Sequence, residues 1–294
     1  MELIVEVLMI TTGGSRIAIL GEESASLLGV HSSDRIRITC NDSQQQMIAI
    51  ANIAAHFPQN HIGLFEETTL ALGVKENETV NVQLAPLPES LFNVRAKLRG
   101  ERLRENDIVN IVNDVIERHL SNVEIAAFLT ALSIHGLSTA ENETLSRAMV
   151  SSGKTVSFGE GPILDKHSVG GIPGDKTSML VVPIVAAAGF TIPKTSSRAI
   201  TSPAGTADRV ETLCPVNLSI NEIKDVVAKT NGCLVWGGSL ELAPADDLFI
   251  QVEYPLGIDP MLLPSILSKK KAIGATHVAI DSPTGMGAKI KTLT

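Results

Sequence analysis

The sequence predicts a multidomain α/β protein, and three observations support this fold class. The first 85 residues repeat a helix–strand pattern, residues 86–153 have the apolar spacing of amphipathic helices, and from residue 154 short β-rich segments alternate with helices. We therefore predict a duplicated β-rich, barrel-like N-terminal domain, a helical domain, and an α/β domain that is incomplete at its C-terminal end. The predicted boundaries are 1–85 for the first, 86–153 for the second with 252–272 packing back on it, and 154–251 with 273–294 for the third.

The N-terminal repeat is visible in the sequence itself. The segment "EESASLLGVHSSDRIRI" (22–38) aligns with "EETTLALGVKENETVNV" (66–82) at an offset of 44 residues. Each copy has the pattern of a helix that ends at a glycine, Gly29 or Gly73, followed by residues that alternate as in a strand. Two copies are too few for a solenoid, so a pseudo-symmetric barrel is the better prediction.

The middle of the chain has helical periodicity. After a short proline-containing linker, "LAPLPES" (84–90), apolar residues recur at i, i+3, i+4 and i+7. The predicted helices span 106–119, 122–136 and 140–153, and their candidate N-caps are Asn106, Ser121 and Thr139.

From residue 154 onward the sequence predicts strands and helices of an α/β sheet. The segments with this pattern are "PILDKHS", "TSMLVVPIVAAAG", "TIPKTS", "INEIKDVVAKT", "GCLVWGG" and "THVAIDSP". The segment "DPMLLPSILSKKKAIG" (259–274) is predicted to be helical and to leave the sheet.

Composition excludes several classes of protein. A hydrophobic fraction of 44% and a charged fraction of 19% indicate a globular chain, and no uncharged apolar stretch is long enough to cross a bilayer. A formal net charge of −8 argues against a nucleic-acid binder, and the densest basic run, "SKKKA" (268–272), is interpreted as a solvated helix face.

Cysteine usage and the N-terminus bear on the compartment. Cys40, Cys214 and Cys233 are widely spaced, so neither a disulfide framework nor a thiolate metal site is indicated. The start, "MELIVEVLMI", lacks the features of a secretory signal and is predicted to be a first strand. We expect a cytoplasmic protein.

The stretch "LDKHSVGGIPGDKTS" (164–178) resembles a phosphate-binding loop. It is not a Walker A motif, because Asp175 stands where the second glycine of that motif is required. What remains is a polar strand end, a glycine turn, and hydroxyls at the start of a helix, where free N–H groups favour an anion. A loop whose glycines only make a turn is the alternative.

A second polar loop supports an anion site. The segment "TSSRAITSPAGTADRVE" (195–211) is rich in Ser and Thr and follows another predicted strand. In open α/β sheets ligands lie outside the carboxyl ends of the strands, so both loops are expected to face one pocket.

The two motifs identify a family resemblance. "DKHSVGGIPGDKTS" followed by "SSRAITSPAGTADRVE" resembles the thymidine phosphorylase family of nucleoside phosphorylases, and "SSRAITS" with the long N-terminal domain is most similar to its AMP phosphorylase branch. The resemblance covers nearly the whole chain, although family members are considerably longer. It implies a pentosyltransferase that cleaves AMP, with CMP and UMP as further substrates to consider, using inorganic phosphate as co-substrate and neither cofactor nor metal, to give free base and ribose 1,5-bisphosphate. It also implies a homodimer or higher homo-oligomer, formed through the helical domain, with no nucleic-acid polymer and no membrane as partner.

The resemblance also implies roles for individual residues. The proposed phosphate-binding residues are Lys166, Ser168, Ser178, Ser196 and Thr206. The proposed AMP-binding residues are Gly171, Ser197, Arg198, Ala199, Ile200, Thr201, Ser202, Thr206, Ser265 and Lys289. Asp259 matches the proton donor to the leaving base.

Three assignments stay open at this stage. Asp259 can be a general acid or the N-cap before Pro260, and the two roles are compatible. His167 either contacts a base or satisfies a core carbonyl, and Lys269 either contacts the base or lies in solvent. Ser265 and Lys269 fit the spacing of the pyrimidine-specific members, but the arginine that precedes them there is missing, with Glu253 near its place.

Alternative functions follow from the same residues. One is a pyrimidine or thymidine nucleoside phosphorylase, and another is a truncated module that binds nucleotide or phosphate without turnover. The acidic pair Asp246–Asp247 leaves a magnesium-dependent phosphoribosyltransferase as a third. Closure of the α/β domain against the helical domain is expected to bring Asp259 and Ser265 to the phosphate loops.

Overall fold

The fold is described from a computed structural model, which covers residues 1–169, 175–198, 204–286, 288 and 290–292. The chain forms two compact units, residues 1–91 with 117–121 and residues 92–116 with 122–294. The domain boundaries inside the second unit stay predictions. Among the described residues, no helix combines the length and apolar character needed to cross a membrane.

The first unit contains a closed six-stranded barrel, with strand order β1-β5-β2-β4-β3-β6. Its elements are β1 Glu2–Leu8, β2 Ile17–Gly21, α1 Glu22–Leu28, β3 Arg35–Cys40, β4 Gln46–Ala54, β5 His61–Phe65, α2 Glu66–Leu72 and β6 Thr79–Leu84. Alternate strand residues such as Leu3, Ile36 and Val80 are fully buried inside it. The duplication is confirmed, because α1 and α2 both end at a left-handed glycine, Gly29 and Gly73.

Two arginines attach a distant segment to the barrel. Arg16 Nη1 donates to the main-chain oxygen of Glu117 at 2.5 Å, and Arg35 Nε donates to that of His119 at 3.0 Å. Through these bonds, residues 117–121 belong to the same compact unit as the barrel.

Four helices follow, and all but the first two residues of the first helix belong to the second unit. They are α3 Ser90–Leu98, α4 Glu105–Ile116, α5 Asn122–His135 and α6 Thr139–Ser151. The three predicted helices are confirmed within two or three residues, but two of the predicted caps are wrong. Asn106 lies inside α4, and Ser138 instead of Thr139 caps α6 in a capping box with Glu141.

The rest of the second unit is a parallel α/β arrangement. Its elements are β7 Leu164–Ser168, α7 Thr177–Ala187, β8 Ile192–Ser196, α8 Thr206–Glu211, α9 Ile220–Thr230, β9 Gly232–Trp236, α10 Pro244–Leu256, α11 Leu262–Ala272 and β10 His277–Asp281. β10 pairs with β7, β8 pairs with β9, and a bridge between Ile163 and Thr191 connects the two pairs.

Two helices between β9 and β10 pack on the helical part. α10 lies against α4, α5 and α6, and α11 lies against α6. The sequence pattern predicts no helix at α10, which has Pro244 at its first position and Pro255 near its end. The pattern also predicts a helix start at Asp259 and Pro260, which is wrong: α11 begins at Leu262 with Met261 as N-cap.

Candidate functional site

The carboxyl end of β7 is held by the last residue of β10. Asp281 lies beside Ser168 in the parallel register of the two strands. Lys166 Nζ forms an ion pair with Asp281 Oδ1 at 2.5 Å, and Ser168 Oγ donates to Asp281 Oδ2 at 2.7 Å. Two residues predicted to bind phosphate therefore share one carboxylate as their partner.

A buried lysine from α11 reaches the neighbouring strand end. Lys270 Nζ donates to the main-chain oxygen of Thr195 at 2.9 Å and to its hydroxyl at 3.0 Å, and it pairs with Asp165 Oδ2 at 2.9 Å. Lys270 is only 3% exposed. The interpretation of "SKKKA" as a solvated face is therefore wrong for Lys269 and Lys270, and only Lys271 is exposed.

His167 lies in a strongly cationic environment. Burial lowers the pKa of its imidazole to about 2, with the charges of Lys270, Lys194, Lys166 and Lys269 acting in the same direction. The imidazole is therefore neutral at physiological pH. It can exchange a hydrogen bond with a base or a phosphate ester, but it carries no proton to donate as an imidazolium acid.

The acidic pair on α10 binds two predicted substrate residues of α11. Lys269 Nζ lies 2.7 Å from Asp246 Oδ2 and 3.3 Å from Asp247 Oδ1, and Ser265 Oγ donates to Asp246 Oδ2 at 2.8 Å. Burial lowers the pKa of Lys269, but the two carboxylates outweigh it and raise the pKa above its ordinary value. Lys269 is therefore cationic, and the alternative that it is a solvated helix residue is wrong.

A divalent ion at the acidic pair would have to compete with Lys269 for the carboxylates. Both carboxylates are within ion-pair distance of Lys269. Within the described ranges, no group of three His, Cys, Asp or Glu side chains has metal-binding geometry.

Arg198 has two carboxylate partners on α8. It donates to both oxygens of Glu211, at 2.6 and 2.9 Å, and to Asp208 Oδ1 at 3.1 Å. Its guanidinium carbon lies 4.8 Å from the ring centroid of Trp236. The hydrogen bonds to Glu211 are the main reason that the pKa of Arg198 is raised, so a substrate phosphate would have to compete with these partners.

The predicted hydroxyl residues differ in what they contact. Ser196 Oγ donates to the main-chain oxygen of Val235 at 3.2 Å, and Ser178 is buried in the first turn of α7. Thr206 is the first residue of α8, directly after the N-cap Gly205. The main-chain oxygen of Ser197 accepts from the N–H of Ala207 at 3.3 Å.

Asp175 explains why the first loop departs from a Walker motif. Its Oδ1 accepts from the main-chain N–H of Thr177 at 2.9 Å and from the Thr177 hydroxyl at 2.5 Å. The Asp175 carboxylate therefore forms an Asx turn with the first residue of α7, whose N-cap is Lys176, and glycine has no side chain to make this contact.

Asp259 lies between α10 and α11 and is half-buried. Six of the predicted residues lie outside the described part of the chain: Gly171, Ala199, Ile200, Thr201, Ser202 and Lys289.

The structure adds site residues that were not predicted from the sequence: Asp165, Lys194, Thr195, Trp236, Lys270 and Asp281. A lysine inside a strand that otherwise reads as buried, as in "TIPKTS", was the available signal for Lys194.

Comparisons with known proteins agree with this architecture. Residues 94–153 match the helical bundle domain of a glycosyl transferase family, and residues 160–262 match the a/b domain of the same family. Anthranilate phosphoribosyltransferase from Thermus thermophilus superposes with a TM-score of 0.57 at 24% identity, over 65% of this chain and 58% of that one, and supports the fold alone.

Curated relatives align over almost all of the chain. AMP phosphorylase of Thermofilum pendens is 52% identical over 94% of this chain and 53% of its own length. AMP phosphorylase of Methanococcoides burtonii is 46% identical over 99% of this chain and 57% of its own length. The chain therefore spans a little over half the length of the curated relatives it matches. Because two domains of one family together match more than half of the chain and their order is that of the observed helical and α/β parts, the chain belongs to this glycosyl transferase family.

Proposed function

We propose that the protein catalyses phosphorolysis of the N-glycosidic bond of AMP, giving adenine and ribose 1,5-bisphosphate. The observation that carries the proposal is the pairing of Lys166 and Ser168 with the single carboxylate of Asp281. An ammonium and a hydroxyl already aimed at one oxyanion are suited to hold phosphate when it replaces or joins that carboxylate. The choice of AMP as the nucleotide rests on the relatives, which are named AMP phosphorylases.

The chemistry requires a held dianion and an acid. Breaking the bond between C1′ and the base nitrogen builds positive charge on the sugar and negative charge on the base. Lys166, Ser168, Ser178, Ser196 and Thr206 are the proposed phosphate residues, and their contribution is positioning and electrostatic stabilisation. A phosphate oxygen then attacks C1′ as the base leaves.

Asp259 is the proposed proton donor to the leaving base. Its half-buried place between α10 and α11 puts it in the segment that also carries Ser265 and Lys269. Asp246 orients both of those side chains, which supports their assignment to the nucleotide site. The neutral His167 is a proposed hydrogen-bond partner of the base.

The 5′-phosphate distinguishes a nucleotide from a nucleoside substrate. Arg198 and Lys289 are the proposed cations for it, together with the hydroxyls of residues 197–202. Because Glu211 and Asp208 of α8 hold Arg198, we assign these two carboxylates to positioning its guanidinium for charge neutralisation. A homodimer formed through the helical domain is proposed from the family resemblance.

Base release tests the proposal directly. AMP, CMP, UMP, adenosine and thymidine are each incubated with the protein, with and without inorganic phosphate, and free base is quantified. We expect phosphate-dependent adenine from AMP and none from adenosine. Release from thymidine would instead indicate a nucleoside phosphorylase, and AMP binding without release of any base would indicate a binding module.

A matched pair of variants tests the acid. Asp259→Asn is expected to lower the rate of base release about 10²- to 10⁴-fold, the usual contribution of a general acid. Asp225→Asn, at an exposed position of α9, is the control and should leave the rate unchanged. Equal rates in the two variants would remove Asp259 from the mechanism.

A further inference from the structure

The sequence Lys-x-Ser occurs at the carboxyl ends of two neighbouring parallel strands. It is Lys166 to Ser168 in β7 and Lys194 to Ser196 in β8. The bridge between Ile163 and Thr191 sets the register of the two strands. When this register is counted forward along both strands, Lys194 corresponds to Lys166 and Ser196 corresponds to Ser168. Corresponding residues of adjacent parallel strands lie on the same face of the sheet.

The two strands do not pair along their length. The described main-chain hydrogen bonds between them involve Leu164 and Thr191, at their beginnings. Beyond this point β7 pairs with β10 and β8 pairs with β9. The two Lys-x-Ser segments therefore lie at the carboxyl ends of adjacent strands, and we call the region outside these two ends the gap. Ligands bind outside the carboxyl ends of the strands in open α/β sheets.

Lys194 is unlike the other lysines of the cluster. Lys166 pairs with Asp281, Lys270 with Asp165, and Lys269 with Asp246 and Asp247. Lys194, which is 3% exposed, has the main-chain oxygen of Thr195 as its acceptor among the described residues, and Lys270 donates to that same oxygen. Two buried lysine side chains thus share one carbonyl.

Charge in this environment opposes a protonated Lys194. The charged groups that act on Lys194 are Asp165 and Lys166 from β7 and Lys270 from α11, and Lys194 in turn acts on His167 of β7. Of these, only Asp165 favours the protonated form of Lys194. Burial is the main cause that lowers the pKa of Lys194 well below its ordinary value, and the neighbouring charge of Lys270 adds to it. A dianion in the gap would reverse this balance.

We propose that Lys194 is a further phosphate ligand, the counterpart of Lys166 on β8, and that its amine takes up a proton from solvent when the dianion enters the gap. The step converts the neutral amine to an ammonium, with one N–H bond formed and the proton supplied by water or buffer. The inference rests on the proposed function only for the location of the phosphate.

Sulfate is the probe, because it is a dianion that does not itself titrate near neutral pH. Its binding is measured by calorimetry in buffers of different ionisation enthalpy, which yields the number of protons taken up. We expect uptake of about one proton per sulfate at neutral pH. In Lys194→Met the uptake should disappear and affinity should fall roughly tenfold or more, as for loss of a charged hydrogen bond.

Two further variants separate Lys194 from its neighbours. His167→Asn removes the other neutral base of the gap and should retain the proton uptake. Lys271→Met removes an exposed lysine of the same helix as Lys270 and should bind sulfate as the wild type does. If Lys194→Met fails to fold, the proton count of the wild type compared with that of His167→Asn still decides the question.

The outcomes distinguish this inference from the proposed function. Sulfate binding without proton uptake, uptake that survives Lys194→Met, uptake that is lost in His167→Asn, or no sulfate binding would each overturn the role of Lys194. Base release from AMP is assayed on the same preparation. Proton-coupled sulfate binding without base release would count against the proposed function alone.

Discussion

At the scale of single residues, the site is a set of lysines neutralised to different degrees. Lys166, Lys269 and Lys270 each have a carboxylate partner, whereas burial and neighbouring lysines both oppose a protonated His167. A low effective dielectric makes such differences matter, because the charged form of an unpaired buried base is costly. The pH dependence of stability should therefore report on His167.

His167 should make the protein less stable in mild acid. Its pKa is about 2 in the folded state against 6.5 for a free imidazole, so below pH 6.5 the unfolded chain binds a proton that the folded chain does not. Stability present above pH 6.5 is lost as the pH falls, by up to about 1.4 kcal/mol per pH unit. We expect the free energy of unfolding, measured with urea, to fall less between pH 7.5 and 5.5 in His167→Asn than in the wild type. His277→Asn, which alters an exposed histidine, should show the same fall as the wild type. Parallel losses in all three proteins would contradict the assignment.

Arg198 covers the one tryptophan of the chain, Trp236. A guanidinium over an indole contributes about 0.5–1 kcal/mol at an exposed site and shields the ring. Arg198→Met should therefore raise the quenching of Trp236 fluorescence by acrylamide. Arg147→Met, which removes an exposed arginine of α6, serves as the control. Unchanged quenching in Arg198→Met would mean that the stacking does not persist in solution.

At the scale of elements, a buried ion pair joins α3 to α6. Lys97 Nζ donates to Glu141 Oε1 at 2.8 Å, and both side chains are 3% exposed. Burial raises the pKa of Glu141, but hydrogen bonds from Leu103, Lys97 and Ser138 outweigh it and lower the pKa to about 2. Glu141 is thus both a capping residue of α6 and the counter-ion of Lys97.

Removing one partner of this pair should destabilise the helical part. Glu141→Gln is expected to cost about 3–5 kcal/mol in free energy of unfolding, because Lys97 would remain buried without a counter-ion. The exposed pair of Glu143 and Arg147 on the same helix is the matched control, and Glu143→Gln should cost less than about 1 kcal/mol. Chemical denaturation measures both, and similar costs would show that Lys97 finds another partner.

The basic run of α11 shows why local sequence misled the interpretation of an element. Three consecutive lysines are typical of a solvated face. Successive residues of a helix point about 100° apart, however, so three lysines cannot share one face. Lys269 and Lys270 point to carboxylates on α10 and β7, and Lys271 points to solvent.

At the scale of the whole molecule, the α/β part exposes apolar side chains. On α7, Leu180 is 64% exposed and Ile184 is 67% exposed, and on β10 Ile280 is 44% exposed. Leu180 and Ile184 lie one turn apart on the same face of α7, and exposed apolar patches of this kind promote association.

The exposed face of α7 should cause self-association beyond the homodimer proposed through the helical domain. We expect the mass from light scattering to rise with protein concentration, and the double variant Leu180→Glu, Ile184→Glu to reduce that rise. Leu27→Glu alters an equally exposed leucine on α1 and should leave the rise unchanged. If the double variant associates as strongly as the wild type, another surface is responsible, and the helical domain is the first to test.

Much of the fold was predictable because it is encoded locally. The barrel duplication, the three bundle helices and the strands carrying "DKHS" and "TIPKTS" follow from periodicity, glycine stops and turn residues. α10 was not predictable in this way, because its prolines resemble helix breakers although they occupy the first turn and the end of the helix.

By itself, the sequence determined the order of strands and helices, the polar loops at strand ends and the family resemblance, because these depend on residues near one another in the chain. Only the tertiary structure decided which charges meet. Asp281 contacts Lys166 and Ser168, although it follows Ser168 by 113 residues in the chain. Lys270 contacts Thr195, which it follows by 75 residues. Ion pairing depends on distance in space and on burial, and neither is set by local sequence.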